Sequence, residues 1–339
     1  MNYDKEVSVI LAVRNEEKYI RKCLTSLIEQ SYSSDRFEII AVDGRSEDKT
    51  MSILREFESS LPTVVIVLDN PNKTSPSGRN IGIRRSRGKY IMILSGYAYV
   101  DPSCIQILAE SLNDHSDDIA GIGASFDSAE DETFFGKIIG DVQSTILGGF
   151  GSTFRHNTGY VDTTAFTLYR KEVLDSIGLH DENFEMAQDL EINWRIKKAG
   201  FKLILCPSAK VYYYRRHSSF RKLFKRMAKY GIGKANFVKK HPDSFNLTYC
   251  VPSLILLLIL SLSLLNVIPN ILYNLILVLV GCYTFAIIAS TFFLCVKRRS
   301  IKHLVAAPVY LTEHIAFGFG FLVGLLKRTK FDAQKTSIT

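Results

Sequence analysis

Short apolar runs alternate with amphipathic stretches along the N-terminal part of this 339-residue chain. Each apolar run is rich in branched side chains and bounded by charge, which is typical of a buried strand in a parallel sheet. The intervening stretches repeat apolar side chains at helical spacing, and Asn15 is placed to cap the first of them. The predicted strands are residues 7–13, 37–42, 64–68 and 89–94, and the predicted helices begin at residues 16, 46 and 78. This alternation predicts an α/β domain with a largely parallel sheet flanked by helices.

Polar residues follow the ends of several predicted strands. Ligands of α/β sheets bind beyond the carboxyl ends of the strands, so we take these positions as the predicted binding site. For Asp43, the alternative is that it only shapes a turn with Gly44. The candidates are Arg14, Asn15 and Glu16 after the first strand, Asp43 and Arg45 after the second, and Ser95, Gly96 and Tyr97 after the fourth.

A charged segment at residues 188–200, QDLEINWRIKKAG, predicts a helix that begins with two acids and ends at Gly200. A carboxylate at a helix N-terminus ordinarily only interacts with the helix dipole. A general base, however, needs such a rigid mount, because proton abstraction requires hydrogen-bond contact with the reacting hydroxyl. Asp189 is therefore the first candidate for a catalytic base and Glu191 the second. The alternative role for Glu191 is an ion pair with Arg195 one turn later.

From residue 212 the chain becomes basic and aromatic, with the sequence YYYRRHSSFRKLFKRMAKYGIGKA. One interpretation is an amphipathic helix that lies on a membrane surface. The other is a cationic clamp for a phosphate-bearing substrate, and the two are compatible. The apolar stripe of this helix is Phe220, Leu223, Phe224, Met227 and Tyr230. The candidate clamp residues are Arg216, His217, Arg226 and Tyr230.

Two segments near the C-terminus, residues 250–268 and 271–296, contain no charged residue, and each is long enough to cross a bilayer. A basic loop separates them from a third apolar segment, residues 304–326, and is predicted to be cytoplasmic by the positive-inside rule. Basic residues after this third segment conflict with a full span, which favours a re-entrant or interfacial arrangement over a spanning one. No signal peptide is expected, because residues 1–6 are few and charged.

These segments predict an integral protein of the cell membrane whose large N-terminal domain is cytoplasmic. The net charge of +8 needs no nucleic-acid partner, because no nucleic-acid motif is present and basic residues beside membrane segments account for it. The six cysteines show no paired ligand spacing and should remain reduced. The predicted domains are residues 1–211, an interfacial segment 212–249, a membrane region 250–330 and a tail 331–339.

Five motifs occur in an order that resembles the family-two nucleotide-sugar glycosyltransferases of the GT-A fold, over residues 7–235. They are VSVILAVRNEE, VDGRSEDKT, SPSGRNIGIRRSRGKYIMIL, QDLEINWRIKKAG and KRMAKYGIGKA. Each motif alone is weak, and their order and spacing carry the resemblance. The middle of the chain, which includes Gly149, Tyr169 and Gly178, looks most like the succinoglycan-biosynthesis glucosyltransferase branch.

The resemblance implies an inverting transferase in which Asp189 deprotonates an acceptor hydroxyl that attacks the anomeric carbon of a nucleotide sugar. A UDP-sugar is the first donor to expect, and the membrane segments favour a lipid-linked or polysaccharide acceptor. An acid of the second motif contacts the nucleotide base and ribose in this family, which assigns that role to Asp43. The alternative is a non-catalytic nucleotide-sugar binder or membrane scaffold. The implied donor-binding residues are Arg14, Asn15, Glu16, Asp43, Arg79, Ser95 and Tyr97.

The family usually holds Mg²⁺ or Mn²⁺ on the donor diphosphate with an Asp-x-Asp triplet, where this chain has Ser95, Gly96 and Tyr97. Hydroxyls are poor ligands for these ions, which prefer carboxylates. We therefore expect such an ion to be held weakly. Three alternatives stay open: a metal held through Asp189 or His217, neutralisation of the diphosphate by Arg79, Arg216 and Arg226, or loss of activity.

Overall fold

The computed structural model describes residues 3–149, 159–216, 219–262 and 269–327. The chain forms two compact units, Met1–Asp131 with Thr153–Tyr214 and Glu132–Ser152 with Arg215–Thr339. The first unit differs from the predicted domain of residues 1–211 mainly because residues 132–149 belong to the second unit. His217, the tail 331–339 and residues 263–268 and 328–330 of the predicted membrane region lie outside the described residues.

A nine-stranded mixed sheet forms the centre of the first unit. Its strands are β1 (Lys5–Val13), β2 (Phe37–Asp43), β3 (Val65–Asp69), β4 (Gly88–Leu94), β5 (Ala98–Val100), β6 (Ile119–Ser128), β7 (Gly159–Val161), β8 (Thr167–Arg170) and β9 (Lys202–Tyr213). Their order is β3-β2-β1-β4-β8-β6-β9-β5, and β7 pairs with β9. The first four strands run parallel, whereas β8 is antiparallel to β4 and β6. The predicted α/β architecture with a mostly parallel sheet is confirmed.

Helices cover both faces of this sheet. The α-helices of the described residues are α1 (Ile20–Ile28), α2 (Thr50–Ser60), α3 (Ser75–Arg85), α4 (Cys104–Asp114), α5 (Phe134–Gln143), α6 (Lys171–Ile177), α7 (Gln188–Lys198), α8 (Phe220–Lys240), α9 (Val251–Ser261), α10 (Asn270–Lys297) and α11 (Ala306–Leu326). Alternate side chains of a strand point to opposite faces. Val9 of β1 therefore joins a buried cluster with Leu24 of α1, whereas Ile10 joins another with Ile192 of α7.

The loops after β1 and β2 are longer than predicted. α1 begins at Ile20 and α2 at Thr50, later than the predicted starts at residues 16 and 46. Asn15 does not cap α1, because its backbone has a φ of 55° and its side chain binds the loop after β2. Hydrogen bonds between the two loops replace the first helical turns that local sequence suggested.

Close packing of α8 against α11 forms the centre of the second unit. A Cβ at Gly320 would lie 2.0 Å from the carbonyl oxygen of Ala228, and one at Gly231 would lie 2.2 Å from that of Phe317. Glycine alone permits such an approach, and small residues commonly bring helix backbones together in membranes. The sequence of α8 is therefore fitted to a helix partner along its length.

The apolar stripe of α8 is divided between the core of this unit and its surface. Leu223 and Met227 are buried in a cluster with side chains of α5 and α11. Phe220 and Phe224 are 40% and 37% exposed. The interpretation that the whole stripe contacts a membrane does not hold for Leu223 and Met227, because the protein's own helices cover them.

Two helical segments, α10 and Ile301–Leu326, are long and apolar enough to cross a membrane by length and composition alone. α10 has a mean hydropathy of 2.3 and leaves large apolar side chains exposed, among them Ile271, Phe285 and Phe292. Soluble proteins rarely expose so extended an apolar face, which favours a lipid environment for α10. The described part of the first predicted span is the shorter helix α9.

A row of buried and half-buried polar contacts, here called the polar seam, ties the segment around α5 to the C-terminal helices within the second unit. Glu313 of α11 is fully buried and accepts a hydrogen bond from the Gln143 side chain at 2.8 Å. Ionisable groups inside apolar helices are rare and usually serve a specific contact. The seam joins Asp141 to Arg298 and His303, Gln143 to Glu313, Thr145 to Tyr310, and the carbonyl of Leu147 to His314.

Candidate active site

The carboxyl ends of the parallel strands bring the predicted polar residues to one edge of the sheet. Val13 at the end of β1 is in register with Asp43 at the end of β2, and Asp43 with Asp69 at the end of β3. β4 ends one strand further, next to β1, and Ser95 follows it. Three loops from separate parts of the chain therefore meet at this edge, as the position of ligand sites in α/β sheets predicts.

Hydrogen bonds lock the loop after β1 to the loop after β2. Asn15 and Arg45 both adopt left-handed backbone conformations, with φ of 55° and 56°. Asparagine tolerates this conformation better than most residues because its side chain bonds nearby backbone groups. The bonds run from Asn15 N to Ser46 Oγ (2.9 Å), Glu47 N to Asn15 Oδ1 (2.9 Å), Glu16 N to Thr50 Oγ1 (2.7 Å), Glu17 N to Asp48 Oδ2 (3.1 Å) and Lys49 N to Glu17 Oε2 (3.0 Å).

Asp43 is buried and lies inside this structure. One carboxylate oxygen accepts from the Ser46 backbone at 2.9 Å and the other from the Ser46 hydroxyl at 2.5 Å. Its carbonyl oxygen accepts from the Asn70 backbone at 2.8 Å. The carboxylate therefore shapes the turn, which is the alternative left open for it.

Exposed charges surround the edge of the site. Arg14 lies 3.6 Å from Glu47, and Arg45 lies 3.4 Å from Asp69. Such exposed pairs are weak and rearrange readily when a charged ligand arrives. The two arginines can therefore turn from their carboxylate partners toward an anionic group.

Asp189 stands at the start of α7, where Arg79 of α3 holds it. The Arg79 Nη1 atom donates to Asp189 Oδ1 at 2.8 Å. The Asp189 side chain remains 41% exposed, whereas the Arg79 side chain is 12% exposed. The carboxylate is thus oriented by a largely buried guanidinium yet accessible from outside, which a general base requires.

Glu191 has a different environment from Asp189. Its side chain is 1% exposed, and both carboxylate oxygens accept hydrogen bonds from Arg195 one turn later. Arg195 also donates to the backbone carbonyls of residues 177–179. The structure gives Glu191 the ion pair that the sequence analysis left open as its alternative role.

His180 is buried close to α3 and α7. Its backbone makes two hydrogen bonds with the Asn80 side chain of α3, at 2.9 and 2.8 Å. Burial first, and then the nearby Arg79 and Arg195, lower the pKa of the His180 imidazole well below its ordinary value of 6.5. The ring is therefore neutral at neutral pH and adds no charge beside Asp189.

The Ser95-Gly96-Tyr97 turn packs tightly behind the loop after β1. A Cβ at Gly96 would lie 2.7 Å from Val13 Cγ1, and the Tyr97 carbonyl accepts from the Tyr214 backbone at 2.9 Å. The turn itself supplies no carboxylate. Over the described ranges, no group of three or more His, Cys, Asp or Glu side chains is arranged to hold a metal ion. These residues do not fit a metal site built by the protein, and we derive no step through one.

Comparison with protein families agrees with the order of loops at this edge. The model described as glycosyl transferase family 2 matches residues 8–178, which include most of β1, all of β2 to β4 and the loops that follow them. The chain belongs to this family. The predicted family and enzyme class, a glycosyltransferase, are thus confirmed.

Two relatives of this glycosyltransferase match nearly its whole length. The dolichyl N-acetyl-alpha-D-glucosaminyl phosphate 3-beta-D-2,3-diacetamido-2,3-dideoxy-beta-D-glucuronosyltransferase of Methanococcus voltae is 28% identical, with 95% of this chain and 97% of that protein covered. The succinoglycan biosynthesis protein ExoA of Rhizobium meliloti is 24% identical, with 94% of each chain covered.

Solved structures share the GT-A-like fold. The mannosyltransferase PcManGT of Pyrobaculum calidifontis, in complex with GDP-Man and Mn²⁺, superposes with a TM-score of 0.61 at 14% identity, over 97% of this chain and 92% of that one. Staphylococcus aureus TarS 1-349 with UDP-GlcNAc gives a TM-score of 0.52 at 14% identity, over 94% and 91%. At this identity the likeness concerns the fold alone.

The predicted clamp residues of this glycosyltransferase belong to the second unit. Arg226 donates to the Tyr230 hydroxyl at 3.2 Å, and its guanidinium lies 5.5 Å from the centre of that ring. Arg216 is exposed with a φ of 53°. His217 lies outside the described residues, so the structure brings together two of the four clamp candidates.

Proposed function

We propose that this glycosyltransferase is anchored in the cell membrane, with its catalytic domain cytoplasmic. In this proposal it transfers a sugar, with inversion, from a nucleotide sugar to a hydroxyl of a lipid-linked or polysaccharide acceptor. The observation that carries the proposal is the accessible carboxylate of Asp189, oriented by Arg79. Asp189 takes the proton of the acceptor hydroxyl. At the same time the hydroxyl oxygen of the acceptor bonds to the anomeric carbon, and the nucleoside diphosphate leaves from the opposite face.

The donor is proposed to bind at the carboxyl edge of the sheet. Arg14 and Arg79 neutralise the diphosphate, since guanidinium groups pair with phosphate oxygens. Asp43 acts through the turn that it shapes with Ser46, and that turn forms the base and ribose pocket. The proposed donor-binding residues are Arg14, Asn15, Glu16, Asp43, Arg79, Ser95 and Tyr97, and Mg²⁺ or Mn²⁺, where bound, is held mainly by the donor. In the second unit, Arg216, His217, Arg226 and Tyr230 are proposed to receive a substrate phosphate.

Names of the relatives support the substrate classes. The Methanococcus voltae protein is named for a dolichyl sugar phosphate acceptor, and the TarS complex contains UDP-GlcNAc. A UDP-sugar donor and a lipid phosphate acceptor are therefore the first pair to test. The two apolar helices agree with an acceptor that resides in a membrane.

Turnover of a UDP-sugar by the purified protein, with a polyisoprenyl-phosphate sugar as acceptor, tests the proposal. Asp189→Asn should lower transfer by about a hundred- to ten-thousandfold, since loss of a general base has effects of this size. Donor binding should persist, because the amide is nearly isosteric with the acid. Wild-type turnover in Asp189→Asn together with loss in Glu191→Gln would reverse the assignment of the base.

A non-catalytic nucleotide-sugar binder is the second candidate function, because the turn after β4 has hydroxyls where the family usually has two carboxylates. This candidate predicts that the wild type binds UDP-sugars, which stabilise it against heat, without turnover on any acceptor. Sugar transfer by the wild type, lost in Asp189→Asn, would exclude it.

A further inference from the structure

The ammonium of Lys234 in α8 lies beside two aromatic rings. This helix contains no acidic residue. The Lys234 ammonium lies 4.0 Å from the centre of the Tyr249 ring and 5.7 Å from that of Phe237. Its neighbours Ile232 and Ala235 pack against α11 at Gly324. Lys234 therefore lies where α8 and α11 meet the turn that precedes α9, Leu247–Tyr249.

The contacts of this ammonium are aromatic. Within the described part of the chain, Lys234 donates no hydrogen bond and pairs with no carboxylate. Aromatic faces attract a cation, but they do not replace the oxygen acceptors that three N–H donors require. Burial lowers the pKa of Lys234 to about 8, as expected where a charge is held without an anion. An anion at this position would both neutralise the charge and accept the hydrogen bonds.

We propose that Lys234 binds the phosphate group of an anionic lipid at the junction of α8 with the turn into α9. Helices of the same unit are apolar enough to lie in a membrane, so an anion that reaches this junction is one carried on a lipid. The inference rests on the proposed lipid-linked acceptor, whose phosphate is the candidate ligand. The phosphate of a bulk phospholipid has the same chemistry.

Exposed lysines on the same helix provide a matched control. Lys225 and Lys229 are exposed and have no aromatic partner among the described residues. They contribute a general attraction to an anionic surface, whereas Lys234 offers a defined site. Replacing Lys225 by methionine therefore removes one charge from the helix without touching the junction.

Binding of farnesyl phosphate and of farnesol to the full-length protein in detergent tests the proposal by calorimetry. The wild type should bind the phosphate more tightly than the alcohol. Lys234→Met should weaken phosphate binding by about tenfold or more, the effect of losing a charge-assisted hydrogen bond, and Lys225→Met should leave it nearly unchanged. Equal losses in the two variants, or equal binding of phosphate and alcohol by the wild type, would overturn the site.

The pH dependence gives a second measurement that does not depend on the methionine variant folding. The Lys234 ammonium is charged below its pKa and neutral above it, so wild-type binding should weaken between pH 7 and pH 9. Lys234→Arg stays charged and should keep its affinity. The other titratable or charged groups around this end of α8 are Tyr230, Lys239, Lys240, His241, Asp243, Tyr249, Cys250 and Lys327, whereas residues 315–326 of α11 and all of α9 carry none. A parallel loss of affinity in Lys234→Arg would assign the titration to another group.

Competition separates the possible sources of the phosphate. Displacement of farnesyl phosphate by phosphatidylglycerol nanodiscs would identify a bulk phospholipid, and resistance to it would identify the acceptor; both results keep a lipid phosphate at Lys234. If inorganic phosphate competed as well as a lipid phosphate does, the site would not require a lipid, and the proposal would be wrong. These assays measure binding alone, so failure of the Asp189 mechanism would leave them unchanged, and failure at Lys234 would leave that mechanism standing.

Discussion

At the scale of single residues, the surroundings of Asp189 and Glu191 separate two acids that the sequence places side by side. Both occupy the first turn of α7, where either could serve as a base. Arg79 comes from α3, and it orients Asp189 while leaving the carboxylate accessible. Arg195, which also donates to the carbonyls of residues 177–179, pairs with the buried Glu191. The sequence predicted both candidates and the Glu191–Arg195 pair within α7, whereas the contact of Asp189 with Arg79 joins two helices that are distant in sequence.

His180 should make the stability of the protein depend on pH. Its folded-state pKa lies well below 6.5, so the unfolded chain binds more protons below pH 6.5 and stability falls as the pH decreases. One such group contributes at most about 1.4 kcal/mol per pH unit. His180→Leu should weaken the pH dependence of thermal unfolding between pH 5 and pH 7, with little loss at pH 7.

The reason for this mild effect is that neither ring nitrogen of His180 has a hydrogen-bond partner among the described residues, while the bonds to Asn80 use the backbone. Leucine removes the titrating ring and keeps a similar volume, which is often neutral where polar atoms were unsatisfied. An unchanged acid-induced drop in the unfolding temperature of His180→Leu would show that another group is responsible.

Substitution of Ser95 should change how strongly the activity of the enzyme depends on a divalent metal ion. With hydroxyls in place of two carboxylates, affinity for Mn²⁺ should be weak and should depend mainly on the donor diphosphate. Ser95→Asp should tighten Mn²⁺ binding, measured by titration with and without UDP, and should make turnover more dependent on the ion. Ser95→Asn is the matched control, since asparagine has nearly the size of aspartate without its charge. Wild-type activity that vanishes in EDTA and returns at micromolar Mn²⁺ would contradict this prediction.

At the scale of elements, predictions succeeded where a signal was local. The apolar run of β1 is buried almost throughout and paired on both sides, so hydrophobicity alone located it. The starts of α1 and α2 were missed, because hydrogen bonds between two loops decide them. Nothing local in the sequence indicates that the segment around α5 packs with the C-terminal helices. Its apolar residues Ile138 and Val142 suit any amphipathic helix, and its partner Tyr310 is remote in sequence.

The polar seam should hold the segment around α5 in place through Glu313. Glu313→Leu removes the acceptor of the Gln143 side chain and leaves that half-buried amide unsatisfied, which should cost about 1–3 kcal/mol of stability. Glu313→Gln keeps an acceptor oxygen and should restore most of this loss. The measurements are thermal unfolding in detergent and hydrogen exchange of residues 132–149, which should speed up in Glu313→Leu.

Thr312→Ala provides the matched control for Glu313. Thr312 is half-buried on the same turn of α11, and its hydroxyl donates to the carbonyl of Pro308, so its loss should change neither measurement. Unaltered hydrogen exchange of residues 132–149 in Glu313→Leu would show that the other contacts of the seam suffice.

At the scale of the whole molecule, neither of the two units is a single continuous stretch of the chain. The chain leaves the sheet after β6, contributes residues 132–149 to the second unit and returns at β7. Segments that are distant in sequence therefore fold together, which a linear division into a catalytic domain followed by a membrane anchor does not describe. The second unit is thus built from two separate parts of the chain, and removing the C-terminal helices removes the packing partners of α5.

Truncation after residue 249 should therefore fail to give a soluble catalytic domain. It deletes α9, α10 and α11, which exposes Leu223 and Met227 of α8 and the apolar side of α5. Exposed apolar surface of this kind drives association, so the truncated chain should elute as aggregates in size-exclusion chromatography without detergent. A chain that lacks only residues 331–339 is the control and should behave as the full-length protein does in detergent. A monomeric truncated chain with a cooperative unfolding transition and wild-type binding of UDP-sugars would show that the first unit folds independently of the second.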